Sequence, residues 1–307
     1  MDTARSYNAG KQEAFTREAG WKQRNLTLAT KLFPDPTNTT PEEHAKDIRQ
    51  QFETSLKELG TEGVDILYLR APSRDVPFSV TLRAINELYQ EGKFRHFGLS
   101  NYASFEVAEI MMLCHHNGWA KPSVYQGTHN ALVLPIDSEL LPCLRPYGIS
   151  FYAYSPLAGG LLTDRYMKSN NTLTEGRFSE ASGKLGKGYR EMWYRDRNLM
   201  ALRPVYELAR RERISMLQVA LRWMVHHSPL NVQNNKAGAV SDVVVIGASS
   251  KEQLEESLDV LEQGPLSEEV LRRLDEAWKM VKAEADPYWA GQLVYGPNNQ
   301  EALISKP

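Results

Sequence analysis

Between residues 20 and 130, short apolar β-rich runs alternate with longer segments of helical period, and this alternation constrains the fold more than any other feature. Strands separated by helices come back in the same direction, so the alternation predicts an α/β fold with parallel strands. The runs that read as buried strands are Leu26 to Lys31, Val64 to Arg70, Phe94 to Ser100, Ser123 to Gln126, Ile149 to Tyr154 and Val243 to Gly247. The clearest helix start is Thr40-Pro41-Glu42-Glu43, where Thr40 caps, Pro41 suits the first turn and Glu43 closes a capping box. Ala45, Ile48, Phe52, Leu56 and Leu59 form its apolar stripe. Further helices are expected at 79–91, 104–117, 137–146, 199–211, 216–227, 251–262 and 267–284. The polar stretch 163–197 shows no period and reads as a large loop over the active face, whereas Asn231 to Gly238 reads as a surface loop only.

Six strands are short of the eight that close a (β/α)8 barrel. The first four residues supply what reads as the end of a seventh. The 307 residues suffice for one large barrel domain over 1–307, with a tail over 286–307. Lys and Arg number 36 against 38 Asp and Glu, a net charge of −2, which leaves no basic excess for nucleic acid or an anionic membrane. No run of apolar residues is long enough to span a bilayer, and MDTARSYNAG is too polar for a signal peptide. The expectation is a cytoplasmic protein with Cys114 and Cys143 as free thiols and no glycan at Asn25, Asn38 or Asn170.

Polar residues follow the apolar runs at what are the strands' C-terminal ends, where barrels of this type carry their chemistry. Asp2, Tyr7 and Lys31 make a sensible acid site: an ammonium beside a phenol favours phenolate, and a carboxylate keeps the ammonium charged and oriented. Taken singly, each is equally a cap, a surface ring or an exposed amine.

The segments DTARSY, LATK, GLSNY, VYQG, AYSPLAGGLLT and IGASSKEQLEESL stand in the order found in aldo-keto reductases. The chain most resembles the aflatoxin-aldehyde reductase branch, from Asp2 to about Tyr288. The resemblance implies a (β/α)8 TIM barrel that binds NADP(H) across its C-terminal face and reduces aldehydes or ketones, in secondary metabolism or carbonyl detoxification. It makes Tyr7 the proton donor, Lys31 the group that lowers its pKa and Asp2 the support of Lys31. It also implies Ser100, Asn101 and Gln126 on the nicotinamide carboxamide, Tyr154 stacked on the ring, and Ser155, Leu157, Gly159 and Gly160 as a turn that admits the pyrophosphate, with Arg165 as counter-charge. Ser249, Ser250 and Gln253 are then placed for a ribose 2′-phosphate, Glu256 and Ser257 for the adenine. The plain alternative for that last segment is a helix cap without a ligand. A small carbonyl substrate, a homodimer and no metal complete the expectation.

Two departures matter. The first is Arg70, which in YLRAP stands where the resembled family carries a histidine; Ser257, where the family usually carries Asn, is a slighter change at the adenine end. Arg cannot give and retake a proton near neutral pH, yet it can polarise a carbonyl, bind a carboxylate or pair with Asp2. His129 lies just past a strand end and is a candidate to reach the pocket, though a lone His there is more often a packing or surface residue; Tyr189, Arg190 and Trp193, with Arg177, Phe178 and Tyr194, are candidates to clamp a substrate or equally to pack on the barrel. The second departure is the start: Met1 sits where the last apolar residue of the family's second strand belongs. The first strand, first helix and most of the second strand are then lacking, through a misplaced start, a spliced form, or a real short barrel left open or completed by a partner. Two other readings therefore stand beside the reductase: a repurposed barrel in which Tyr7, Lys31 and Arg70 run an isomerisation, dehydration or cyclisation, and a cofactor-binding pseudoenzyme.

Overall fold

The computed structural model describes residues 1–35, 37–38, 40–167, 173–233 and 240–296. The sequon at Asn170, residues 234–238 of the expected surface loop and the tail beyond 296 lie outside them. The chain forms two compact units, one of residues 1–126, 143–150 and 288–307, the other of 127–142 and 151–287.

In the first unit the strands β1 (Ala29–Leu32), β2 (Val64–Leu69), β3 (Phe94–Ser100) and β4 (Pro122–Thr128) pair in parallel and in chain order. Between them run α2 (Pro41–Leu59), α3 (Phe78–Gln90) and α4 (Ser104–Asn117), and α1 (Gln12–Glu18) precedes β1. Helix α1 is an element that the strand-and-helix pattern did not reveal. The expected strand 26–31 starts three residues late, because the Leu28 N–H is taken by the Asp65 carboxylate at 2.8 Å. Ahead of β1 the first residues do form a strand end: Ala29 N–H donates to Met1 O and Thr3 N–H to Ala29 O, both at 2.9 Å, with a parallel bridge between Asp2 and Ala29.

Helix α2 starts as expected, with the Thr40 hydroxyl accepting from Glu43 N–H at 3.3 Å. The same hydroxyl donates to the Glu43 carboxylate at 2.8 Å. Ile48 and Phe52 are fully buried, and each such side chain contributes about 1.5–3 kcal/mol relative to exposure. Phe52 meets Phe94 edge-on at 6.4 Å, tying helix to sheet. Across the strands Lys31, Tyr68 and Gly98 share one register row. A Cβ on Gly98 would lie 2.2 Å from Tyr68 Cδ1, so glycine is what admits the Tyr68 ring beside Lys31.

In the second unit β5 (Ser150–Tyr154) pairs in parallel with β6 (Val243–Val244). The apolar run 243–247 supplies only two strand residues; beyond them Val245 N–H returns to Ala153 O at 2.8 Å. Buried Asp242 accepts from Phe151 N–H and Asn231 N–H, each at 2.7 Å. The expected helix 137–146 shortens to α5 (Leu140–Leu144) and a 3-10 turn at Arg145–Tyr147. Stretch 163–197 is not one loop. It holds α6 (Gly183–Met192) and the first residues of α7 (Asp196–Arg211), followed by α8 (Met216–His226), α9 (Lys251–Leu261) and α10 (Glu268–Val281). Among the described residues no helix is long and apolar enough to cross a membrane.

Candidate active site

Lys31, at the end of β1, is 3% exposed, and a buried ammonium needs a counter-ion. Asp2 supplies it in a direct ion pair, and Lys31 Nζ also donates to Thr3 O at 3.1 Å. The other Asp2 oxygen accepts from Gln126 Nε2 at 3.0 Å, so Gln126 orients the carboxylate. The Lys31 ammonium lies 5.1 Å from the centroid of the Tyr7 ring and 5.7 Å from that of Tyr68. Tyr7 begins a tight turn in which Asn8 and Ala9 take left-handed φ of 50° and 52°, which holds the half-exposed phenol above Lys31.

Arg70 completes this group. Its Cζ is 5.8 Å from the Tyr7 centroid and its Nη1 donates to Ser6 Oγ at 2.5 Å. The pairing with Asp2 weighed from sequence is absent, because both Asp2 oxygens are engaged by Lys31 and Gln126. Beside the turn is a cavity of about 440 Å3 lined by Arg5, Ser6, Ala9, Gly10, Lys31, Phe33 and Gln51. Asn101, with φ of 62°, donates from Nδ2 to Arg70 O at 2.8 Å and to Ser100 Oγ at 2.9 Å. Sequence reasoning did not single out Ser6 or Tyr68. The signal for Tyr68 was its position two residues before Arg70, on the same face of one strand.

The second unit places its candidates separately. Tyr154 is half-buried at the end of β5, and the turn after it has positive φ at Ser155 (54°), Ala158 (47°), Gly159 (68°) and Gly160 (106°). A Cβ on Gly159 would meet Tyr189 Cδ1 at 2.9 Å and Trp193 Cδ1 at 3.2 Å, so α6 packs on this turn, with Leu157 half-buried in it. Trp193 is buried, and its Nε1 has no acceptor among the described residues. Arg165 is exposed and turns to Glu175, 3.6 Å from its carboxylate. Arg190 Nη1 donates to Phe178 O at 2.7 Å, and Arg177 Nη1 to the Tyr189 hydroxyl at 2.6 Å. Tyr194 packs on Tyr166 and Phe178.

At α9 the Ser250 hydroxyl accepts from Gln253 N–H at 3.3 Å and Gln253 Oε1 from Ser249 N–H at 3.0 Å. The Glu252 carboxyl is held below its usual range by its own backbone N–H and by the Ser250 hydroxyl. Glu256 is exposed, and the Ser257 hydroxyl donates to Gln253 O within the helix at 2.7 Å.

Of the two readings of His129, pocket or packing, the structure gives packing: it is fully buried, on Trp223 at 5.4 Å and Phe151 at 6.3 Å. Its Nε2 lies 3.7 Å from Asp137 Oδ1. Burial pushes His129 down to about 3 and Asp137 up to about 7. The folded chain thus holds the extra Asp137 proton between 3.8 and about 7, a contribution complete below 3.8 and lost as pH rises to about 7. His129 takes up its proton only in the unfolded chain between about 3 and 6.5, so its contribution is complete above 6.5 and lost as pH falls to about 3. The two slopes oppose each other from about 4 to 6.5. Asp137→Asn leaves the His129 slope alone, and urea midpoints of that variant are expected to rise with pH over this window more steeply than those of the wild type.

The profile of the aldo/keto reductase family matches residues 1–279. The chain belongs to the aldo/keto reductase family. Its strands, following one another in parallel with helices between them, correspond to part of the family's (β/α)8 TIM barrel. An aldo-keto reductase of Pseudocercospora fijiensis is 42% identical over 291 residues, which are 94% of this chain and 96% of that protein. Aflatoxin B1 aldehyde reductase member 2 of Rattus norvegicus is 41% identical over 300 residues, 94% of this chain and 78% of the rat protein. Aldo-keto reductase pigE of Monascus ruber is 38% identical, again over 94% of this chain and 85% of the relative. As a member of this aldo/keto reductase family, the protein is an oxidoreductase acting on carbonyl compounds.

Proposed function

We propose that the chain reduces an aldehyde or ketone to an alcohol with NADPH, Tyr7 giving the proton. The observation that carries this reading is the buried Lys31 ammonium, neutralised by Asp2 and lying over the Tyr7 ring. An ammonium fixed there offsets the negative charge left on the oxygen as the proton is passed on. Each unit taken by itself carries groups of the kind that bind a nicotinamide dinucleotide. In the first unit Ser100, Asn101 and Gln126 offer hydroxyl and carboxamide groups. In the second, Tyr154 offers a ring face, the turn Ser155 to Gly160 a close backbone with the unsatisfied Trp193 Nε1 beside it, and Ser249, Ser250 and Gln253 a helix start. The bound cofactor supplies the hydride; the residues of this chain orient the carbonyl and move the proton. An aldehyde is the first substrate class to test, since the rat relative is named for aflatoxin B1 aldehyde.

NADPH fluorescence on titration with the purified chain, followed by NADPH oxidation with a panel of aldehydes and ketones, decides the matter. Quenching with turnover is expected. Binding without turnover on any carbonyl would leave the pseudoenzyme, and no binding at all would leave the non-redox barrel.

A further inference from the structure

We propose that Arg70 is a catalytic residue whose fixed positive charge stabilises the carbonyl oxygen during reduction. The inference rests on the reductase reading and concerns the position where arginine stands in place of the histidine that the resemblance leads one to expect.

Arg70 is held as a fixed part of the site. Its backbone N–H donates to Leu32 O at 2.8 Å and its carbonyl accepts from Asn101 Nδ2 at 2.8 Å, so both neighbouring strands pin it. Its half-buried guanidinium rests on Ser6 Oγ and beside the Tyr7 ring. Three other arginines of this unit have carboxylate partners: Arg49 with Glu91 at 2.7 Å, Arg74 with Glu106 at 2.7 Å and Arg95 with Asp65 at 3.2 Å. Among the described residues no carboxylate pairs with Arg70. The titratable group shown against its guanidinium is Tyr7, whose ring also carries the Lys31 ammonium paired with Asp2. Lys31 is neutralised within the protein, whereas Arg70 keeps an uncompensated charge beside the Tyr7 ring.

The chemistry requires such a group. A bound nicotinamide would supply the hydride to the carbonyl carbon and be oxidised; the C=O π pair would then move onto oxygen, to which the Tyr7 phenol would pass its proton, completing reduction of the carbonyl. Charge builds on oxygen before the proton arrives, and a guanidinium N–H aimed there stabilises it without itself changing protonation. Arg70 therefore acts by charge alone, and proton transfer falls entirely to Tyr7.

The test compares Arg70→Gln, Arg70→Lys and Arg70→His with the wild type, all checked for fold by circular dichroism. Loss of one oxyanion donor lowers kcat by about 100-fold, the fall expected for Arg70→Gln, with Arg70→Lys retaining part of the rate. In Arg70→His the rate is expected to rise as pH falls through about 6.5, an inflection absent from the wild type and from Arg70→Gln. A readout without cofactor uses butyrate, whose carboxylate mimics the charged oxygen. In nitrogen-15 NMR of arginine-labelled chain, butyrate shifts the Arg70 side-chain resonance, and Arg70→Gln binds butyrate several-fold more weakly. Wild-type kcat and wild-type butyrate affinity in a folded Arg70→Gln would overturn the proposal. Absence of NADPH turnover in the wild type, with butyrate binding still lost in Arg70→Gln, would overturn the reductase reading and support Arg70 as the oxygen-binding cation.

Discussion

Tyr7→Phe is expected to lower kcat for carbonyl reduction by about two to four orders of magnitude, the share of a rate that one positioned general acid supplies. The substitution removes one oxygen and keeps the ring over which the Lys31 ammonium sits, so the cation-to-ring contact at 5.1 Å survives. The Asp2 to Lys31 pair and the Gln126 bond to Asp2 do not involve the phenol oxygen and are also unchanged. NADPH affinity is therefore expected to stay within about twofold, since such a change corresponds to only about 0.4 kcal/mol. Stopped-flow measurement of hydride transfer beside fluorescence titration separates the two effects. A variant retaining wild-type kcat would remove Tyr7 from the chemistry and leave Lys31 as a structural ion pair.

The parallel strands and most helices were legible because apolar spacing is local information. Helix α4 spans Ser104–Asn117, the range read from spacing, and β3 spans Phe94–Ser100 likewise. Helix α6 escaped because Gly183, Gly186 and Gly188 make it a poor helix by propensity. It forms through packing: a Cβ on Gly186 would stand 2.3 Å from Ser179 O, so glycine is required for the close approach that seats it. At the site, the Lys31 and Asp2 pair was legible because a charge at the end of a buried strand needs a partner nearby. The partner of Arg70 was not. It depends on the turn at Tyr7, whose left-handed Asn8 and Ala9 no spacing rule announces, and which brings Ser6 rather than Asp2 to the guanidinium. For His129 the sequence left pocket and packing both open, and Trp223 and Phe151 enclose it as packing.

Glu106→Ala is expected to destabilise the first unit by about 3–5 kcal/mol, the cost of leaving a buried ion-pair partner without its counter-charge. Glu106 is fully buried and Arg74 is 8% exposed. The carboxylate takes the Arg74 fork at 2.7 and 3.0 Å, caps α4 by accepting from Ala103 N–H at 2.7 Å, and accepts the Tyr295 hydroxyl at 2.7 Å. Arg74 in turn donates to Ala290 O at 2.6 Å and Gln292 O at 3.2 Å. One side chain thus fixes a helix start and the segment Tyr288–Gly296, in which Ala290 N–H donates to Asn101 O at 2.9 Å. Glu106→Ala removes the counter-charge of Arg74 and the acceptor of the Ala103 N–H and the Tyr295 hydroxyl together, and urea denaturation measures the sum. Glu106→Gln separates charge from shape: it retains an acceptor for the cap and for Tyr295 but not the charge on Arg74, so its loss is expected to fall between zero and that of Ala. Equal midpoints for wild type and Glu106→Ala would mean that the cluster relaxes onto water and holds neither the helix start nor the segment that reaches Asn101.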